Sequence, residues 1–135
     1  MKTLLNALYH PQAGFFILRW SVAGLMLFHG VAKLINGVGG IEGMVTSAGL
    51  PAFFAYGVLV GEVLAPVLVL IGVLVGPAAL VMAISMGFAI ALAHSGDLFT
   101  LGKSGGWALE LQALFLLTAV ALALTGPGRI SVNRR

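Results

Sequence analysis

Four long apolar runs constrain the fold of this chain more than any other feature. They cover residues 15–35, 53–75, 78–94 and 107–124. A helix of about 20 residues crosses the roughly 30 Å hydrocarbon core of a bilayer. The chain is also 60% hydrophobic and only 8% charged, whereas soluble domains carry about 25% charged residues. We therefore predict an all-α integral membrane protein, an antiparallel four-helix bundle that forms one domain over residues 1–135.

Glycine and proline mark the predicted ends of the runs. Gly76-Pro77 predicts a tight turn after the second run, and Gly126-Pro127-Gly128 stops the fourth. Segment 41–51 (IEGMVTSAGLP) predicts a short amphipathic helix on the membrane surface. A cleaved signal peptide is the competing interpretation of the N-terminus, but Arg19 interrupts its apolar core and no small-residue cleavage site follows.

Basic residues predict the orientation in the membrane. The predicted side that holds both termini carries four of them: Lys2, Arg129, Arg134 and Arg135. The opposite loops hold Lys33 and Lys103. Since Lys and Arg favour the cytoplasmic side, we predict a multi-pass protein of the cell membrane with both termini in the cytoplasm. The net charge of +3 then reflects topology, and we expect the partner to be a lipid bilayer and not a nucleic acid.

Six ionisable residues lie within or at the edges of the runs: Arg19, His29, Lys33, Glu62, His94 and Glu110. Each costs about 2.5–3.5 kcal/mol to place in hydrocarbon, which favours a use in a polar pocket inside the bundle. Counted along the helical rise, all except Arg19 lie in the half of the membrane opposite the termini. Residues 19, 22, 26, 29 and 33 also follow a heptad spacing, so we expect that stripe to face the interior.

Of these six residues, Glu62 has the most constrained environment. At about 14 Å depth its side chain is too short to reach water, so it must be interior and either partnered or protonated. Pro66 cannot donate to the Glu62 carbonyl, which leaves a second acceptor at that depth. The other residues have simpler alternatives: Arg19 and Lys33 can snorkel, His94 can cap a helix, and Glu110 can be interfacial beside Trp107.

Cysteine is absent from the chain. This excludes disulfides, thiolate metal sites and iron–sulfur clusters built from this chain alone. We expect no metal site and no covalently bound cofactor. Thiol redox chemistry would require a partner protein that supplies the sulfur.

Six segments in order along the chain resemble the DoxX family of small four-helix membrane proteins: RWSVAGLMLFHGVAKL (19–34), AGLP (48–51), VGEVLAPVLVLIG (60–72), AHSGDLF (93–99), GGWALELQALFLL (105–117) and GPGRISV (126–132). Asn133 departs from the family pattern, in which an acid is usual. The resemblance implies a bacterial or archaeal cell membrane and a quinone-linked or thiol and oxidative-stress oxidoreductase system. It places all six ionisable residues at family signature positions.

The leading hypothesis is a membrane subunit that binds a quinone or a similar small aromatic molecule. His29 and Glu62 are the predicted catalytic residues, as carriers of protons to and from the ligand. The predicted ligand-binding residues are Arg19, Lys33, His94 and Glu110. None of these groups carries electrons, so a protein partner with a redox centre is required. The chain is thus a candidate oxidoreductase subunit.

Three alternatives remain open. A non-catalytic accessory subunit would use ion pairs among Arg19, Lys33, Glu62 and Glu110 to fix the bundle, and would dock a larger complex or a second copy through small residues such as Gly72 and Gly76. A b-haem ligated by His29 and His94 is less favoured, because their predicted depths differ by about 9 Å. A small-solute transporter would have to dimerise to form two alternating halves.

Overall fold

The computed structural model describes residues 6–133 and is an all-α bundle. Its main helices are α1 (Pro11–Asn36), α2 (Gly39–Ser47), α3 (Ala52–Ile71), α4 (Val75–Ala93) and α5 (Glu110–Thr125). Within residues 6–133 the only strand-like pairing is an isolated bridge between Leu101 and Trp107. Segment Asn6–Asn36, α3 and α4 are long and apolar enough to cross a membrane, and α5 is a shorter apolar helix. The predicted helical membrane bundle is confirmed.

Small and flexible side chains fill the centre of the bundle. Helix α4 packs between α3 and α5, and α1 packs mainly on α3. Alanine lets helix backbones approach closely, and methionine fills the irregular gaps that remain. The most completely buried members of this core are Ala23, Met26, Val69, Ala79, Met82 and Ala119.

Helix α1 is rotated relative to the predicted stripe. Its buried residues are Arg19, Val22, Ala23, Met26 and Gly30. His29 is exposed on the surface of the bundle, so the expectation that it faces the interior is wrong. Spacings of three and four fit two neighbouring stripes of a 3.6-residue helix, and the structure uses the one that contains Gly30.

The turn between α3 and α4 lies four residues earlier than predicted. Helix α3 ends in a Schellman motif, in which the Val73 N–H donates to the Leu68 carbonyl at 3.0 Å. Gly72 (φ 79°) and Leu74 (φ 48°) take left-handed conformations there. Pro77 instead lies in the first turn of α4, where a missing N–H costs nothing. Gly76-Pro77 therefore does not form the turn.

The two ends of the bundle differ in how they are covered. We call the end with residues 37–51 and 94–109 the loop end, and the end with residues 6–10 and 126–133 the terminal end. At the loop end, α2 buries Val45 against Ala55 and Val38, so this predicted surface helix forms a roof over the bundle. Helix α5, which corresponds to the fourth predicted run, starts at Glu110 and not at Trp107. Trp107 is held in the loop, where its indole N–H donates to the Leu98 carbonyl.

Candidate functional site

An ion pair between α1 and α3 lies inside the bundle. Lys33 Nζ donates to Glu62 Oε2. The Glu62 side chain is only 3% exposed and that of Lys33 is 28% exposed. Glu62 is thus interior and partnered, as its predicted depth required. A buried carboxylate needs such a partner because an unpaired charge in an apolar interior is strongly unfavourable.

The backbone of α3 is irregular at the level of this pair. Residues Val60–Leu64 form a π-helical turn, in which the Ala65 N–H donates to the Val60 carbonyl. Pro66 has no N–H for the carbonyl of Glu62, and that carbonyl lies directly against Gly30 of α1. A Cβ atom at residue 30 would overlap it and would lie 2.7 Å from Val63 Cγ2. Only glycine therefore permits α1 and α3 to meet here.

A cavity of about 540 Å³ adjoins the ion pair at the loop-end half of the bundle. Its walls come from α1, α2, α3 and α4 and are mostly apolar, with Ile41, Leu50 and Phe88 among them. The polar side chains in its lining are Lys33, Glu62, Ser85 and His94. An apolar cavity of several hundred Å³ with a few convergent polar groups is typical of a small-molecule site.

His94 connects this cavity to the loop end. It follows the last residue of α4, and its Nδ1 lies 3.5 Å from Oδ2 of Asp97, whose side chain is 51% exposed. Its Nε2 lies 3.4 Å from Nε2 of Gln112 on α5. Gln112 is not among the site residues predicted from the sequence. The available signal was an amide side chain alone in the apolar run 107–124.

Of the six predicted site residues, Arg19, His29 and Glu110 do not line the cavity. The His29 ring packs edge-on against Phe115 of α5, with ring centroids 5.8 Å apart. Glu110 opens α5 with its carboxylate over the backbone of Gly106, and it is exposed. The structure therefore brings Lys33, Glu62 and His94 to one cavity and leaves His29 and Glu110 outside its lining.

Arg19 has a separate role at the terminal end. Its side chain is 2% exposed, and its guanidinium donates to the carbonyls of Pro127 and Ile130, each at 2.7 Å. It lies fourteen residues before Lys33, about 21 Å along the helix axis. The expectation that Arg19 shares a pocket or an ion pair with Glu62 is wrong, since it instead clamps the C-terminal segment to α1.

The structure also bears on two of the alternatives, the haem site and the docking surface. The cavity that His94 lines does not include His29, so these residues do not fit a pair of axial haem ligands within it. Gly72 and Gly76, the small residues predicted to dock a partner, are instead packed against other parts of this chain. A Cβ atom at Gly72 would lie 2.7 Å from Ser131 Cβ, and one at Gly76 would lie 3.5 Å from the Ala123 carbonyl oxygen.

The fold and the site together define a small helical-bundle membrane protein with an ion pair in the wall of an internal cavity. The family model DoxX matches residues 14–95, which is more than half of the chain and includes every residue of the cavity lining. The chain belongs to the DoxX family. Comparisons with curated proteins and with solved structures found no match.

Proposed function

We propose that this chain is a membrane subunit of a quinone-linked or thiol and oxidative-stress oxidoreductase system, and that it binds a quinone-like molecule in the cavity beside Lys33 and Glu62. The observation that carries the proposal is the position of this buried pair in the wall of an apolar cavity of about 540 Å³. A cavity lined by hydrocarbon accepts an aromatic ring, and the charged pair orients the polar edge of that ring.

The polar groups of the cavity fit the needs of a quinone ring. When bound, a quinone supplies a carrier that takes up electrons together with protons. Lys33 offers ammonium donors to a ring carbonyl, and its bond to Glu62 fixes where those donors lie. Glu62 accepts that bond and can take or release a proton at its carboxylate. Ser85 adds a hydroxyl on the α4 side of the cavity.

His94 provides the connection to water that proton transfer requires. An imidazole accepts a proton at one nitrogen and releases one from the other. The two ring nitrogens of His94 lie near Gln112 and near the half-exposed Asp97. We therefore assign proton delivery to His94, since it lines the cavity, and treat the predicted catalytic role of His29 as an alternative to be tested.

The proposal includes a partner and an orientation. Amino-acid side chains of this composition hold no two-electron carrier, so electrons come from a partner protein with a redox centre. The distribution of Lys and Arg favours a cytoplasmic position for the terminal end. The cavity then lies in the half of the bilayer away from the cytoplasm, in the cell membrane of a bacterium or archaeon.

Quinone binding by the purified chain in lipid nanodiscs tests the proposal directly. Titration with a short-tailed benzoquinone should show saturable binding to the wild-type chain. Glu62→Gln and Lys33→Met should each weaken it at least about tenfold, which corresponds to about 1.4 kcal/mol. Val31→Ala is the matched control, since Val31 is an exposed residue of α1 outside the cavity lining. Retained helical circular dichroism shows that each variant is folded. Unchanged affinity in both cavity variants contradicts the proposal.

A non-catalytic accessory role is the second candidate, and the ion pair itself favours it, because Lys33 and Glu62 join α1 to α3. In that case the pair only fixes the bundle. Isolation of native complexes separates the two candidates. An accessory subunit retains its partners in a folded Glu62→Gln variant and shows no saturable quinone binding in the wild-type chain.

A further inference from the structure

A second cleft, of about 580 Å³, lies at the terminal end of the bundle. The first turn of α1, the turn between α3 and α4, the end of α5 and the C-terminal segment form its walls. We call it the terminal cleft. It shares no lining residue with the cavity of the proposed function, so it is a separate candidate site. The polar side chains of its lining belong to Gln12, Thr125, Arg129 and Asn133.

The C-terminal segment is fixed in the wall of this cleft by contacts with distant parts of the chain. The Arg129 backbone N–H donates to Gln12 Oε1 at 2.8 Å. The Asn133 backbone N–H donates to the Gly72 carbonyl at 3.1 Å. Between them, the Arg19 guanidinium holds two further carbonyls of the segment. These contacts keep Arg129 in the lining of the cleft.

The terminal cleft is cationic. Arg129 is the charged residue of its lining. The segments that form the cleft, 12–15, 72–77 and 123–133, contain no acidic side chain, because the four acids of the chain are Glu42, Glu62, Asp97 and Glu110. A guanidinium without a carboxylate beside it is a good partner for the oxygens of a phosphate group.

The terminal cleft lies where the membrane-spanning helices end. Helix α3 ends at Ile71, α4 begins at Val75 and α5 ends at Thr125. This level corresponds to the polar headgroup region at the edge of the hydrocarbon core. Two apolar lining residues, Leu74 (54% exposed) and Leu124 (83% exposed), are also open to the outside of the bundle. A ligand here therefore meets a cation on one side and apolar surface on the other.

We propose that the terminal cleft binds the phosphate headgroup of an anionic phospholipid. Arg129 pairs with the phosphate. Gln12 Oε1 already accepts the Arg129 N–H, which leaves the Gln12 amide NH₂ to donate to a headgroup oxygen. The first carbons of the acyl chains contact Leu74 and Leu124. Basic pockets between membrane helices bind anionic headgroups in this way.

This site does not depend on the proposed function, since it concerns other residues at the opposite end of the bundle. A lipid bound in the cleft contacts α1, α5 and the C-terminal segment together. It therefore adds to the stability of the end that Arg19 clamps, because a ligand that binds only the folded state stabilises it.

Thermal unfolding of the purified full chain in detergent tests the inference. The chain is titrated with dioleoylphosphatidylglycerol and with dioleoylphosphatidylcholine, which carry the same acyl chains on different headgroups. Arg129→Met removes the cation, and Thr125→Trp fills the cleft without changing the charge. Lys103→Met is the matched control, since it removes an exposed cation at the loop end. Glycerol phosphate and inorganic phosphate test whether a free phosphate is sufficient.

The expected result is stabilisation that depends on both the headgroup and the cleft. Phosphatidylglycerol should raise the melting temperature of the wild-type chain and of Lys103→Met by at least about 3 °C, and phosphatidylcholine should raise it much less. Arg129→Met and Thr125→Trp should each weaken the affinity for phosphatidylglycerol about fivefold or more. Without added lipid, Arg129→Met should melt like the wild-type chain.

Four results would overturn the inference. The first is equal stabilisation by the two lipids, and the second is full stabilisation of Arg129→Met by phosphatidylglycerol. The third is an equal loss of affinity in Lys103→Met, which would mean attraction to net charge and not to the cleft. The fourth is protection by a free phosphate at the concentration at which the lipid acts, which would assign the cleft to a soluble anion. If Thr125→Trp does not fold, the comparison of Arg129→Met with Lys103→Met decides.

Discussion

Helix α1 carries two cations that bind partners inside the bundle, the buried Arg19 and the partly buried Lys33, and the two are stabilised differently. At the loop end, Lys33 pairs with the carboxylate of Glu62 beside a cavity. At the terminal end, Arg19 donates to two backbone carbonyls of the C-terminal segment and stacks near the Phe16 ring. Both satisfy the requirement that a charge in an apolar interior finds partners. Lys33 lines the cavity described above, whereas Arg19 does not line it.

The chemistry of the partners explains this difference. Arginine holds its proton at all relevant pH values, and carbonyls are acceptors that do not titrate, so the Arg19 contacts can only hold structure together. A lysine and a carboxylate can both exchange protons and can bind a third group between them. We infer that the terminal end of α1 serves stability and the loop end serves ligand chemistry. The following variants test that division.

Separating the Lys33–Glu62 pair should have the largest effect on stability. Glu62→Leu alone leaves the Lys33 ammonium inside the bundle without its partner, and breaking a buried pair costs about 3–5 kcal/mol. We expect the lower end of that range because Lys33 is 28% exposed. The double variant Lys33→Met with Glu62→Leu should recover much of this loss. Unfolding free energies from detergent titration provide the comparison, and a double variant no more stable than the single one contradicts it.

The half of the membrane that holds this pair was predictable from sequence, but its lateral position was not. Counting along the helical rise placed Lys33 and Glu62 in the same half of the membrane, and Glu62 could not reach water from there. The rotation of α1 depends on close packing against α3. His29 and Gly30 are neighbours in sequence, and the contact of Gly30 with the Glu62 carbonyl decides which of them is buried.

Other features depended on tertiary contacts that no local pattern contains. The role of Arg19 required the C-terminal segment to fold back over α1, more than 100 residues away in sequence. The α3–α4 turn moved because the first turn of a helix accepts a proline. Gln112 lies near His94 because α5 packs along α4, and this contact cannot be read from the sequence around either residue.

Removing the arginine at the terminal end should cause the next largest loss of stability. Arg19→Met deprives two carbonyls of charged donors, each worth about 1.5–3 kcal/mol before relaxation, so we expect a net loss of about 2–3 kcal/mol. Quinone affinity should not change, because Arg19 lies about 21 Å along the helix from Lys33. Thermal unfolding and the nanodisc titration measure the two readouts. Exposed Arg129→Met is the control, and a parallel loss of affinity in Arg19→Met contradicts the division of roles.

A single methyl group at the contact between α1 and α3 should have a smaller effect. Gly30→Ala places a Cβ against the Glu62 carbonyl and forces the helices apart, for which overpacking costs of about 1–3 kcal/mol are expected. Gly24→Ala on the same helix meets no atom within 4 Å and should be neutral or slightly stabilising. The difference in melting temperature between these two variants measures the effect. Equal melting temperatures would show that α1 and α3 do not meet closely at Gly30.

The smallest loss of stability is expected from substitution of His29. This substitution also tests whether His29 takes part in proton delivery. His29→Ala removes an edge-on contact with Phe115, worth about 0.5–1.5 kcal/mol. If proton delivery belongs to His94, His29→Ala should bind and turn over quinone like the wild-type chain, whereas His94→Ala should slow proton-linked turnover in the assembled system. His94→Gln, which keeps a polar group near Gln112 without a titrating ring, controls for loss of packing. A tenfold loss of turnover in His29→Ala with normal stability would instead support the catalytic role predicted from sequence. Since His29 lies outside the cavity lining, that result would mean that α1 rotates to bring His29 to the ligand.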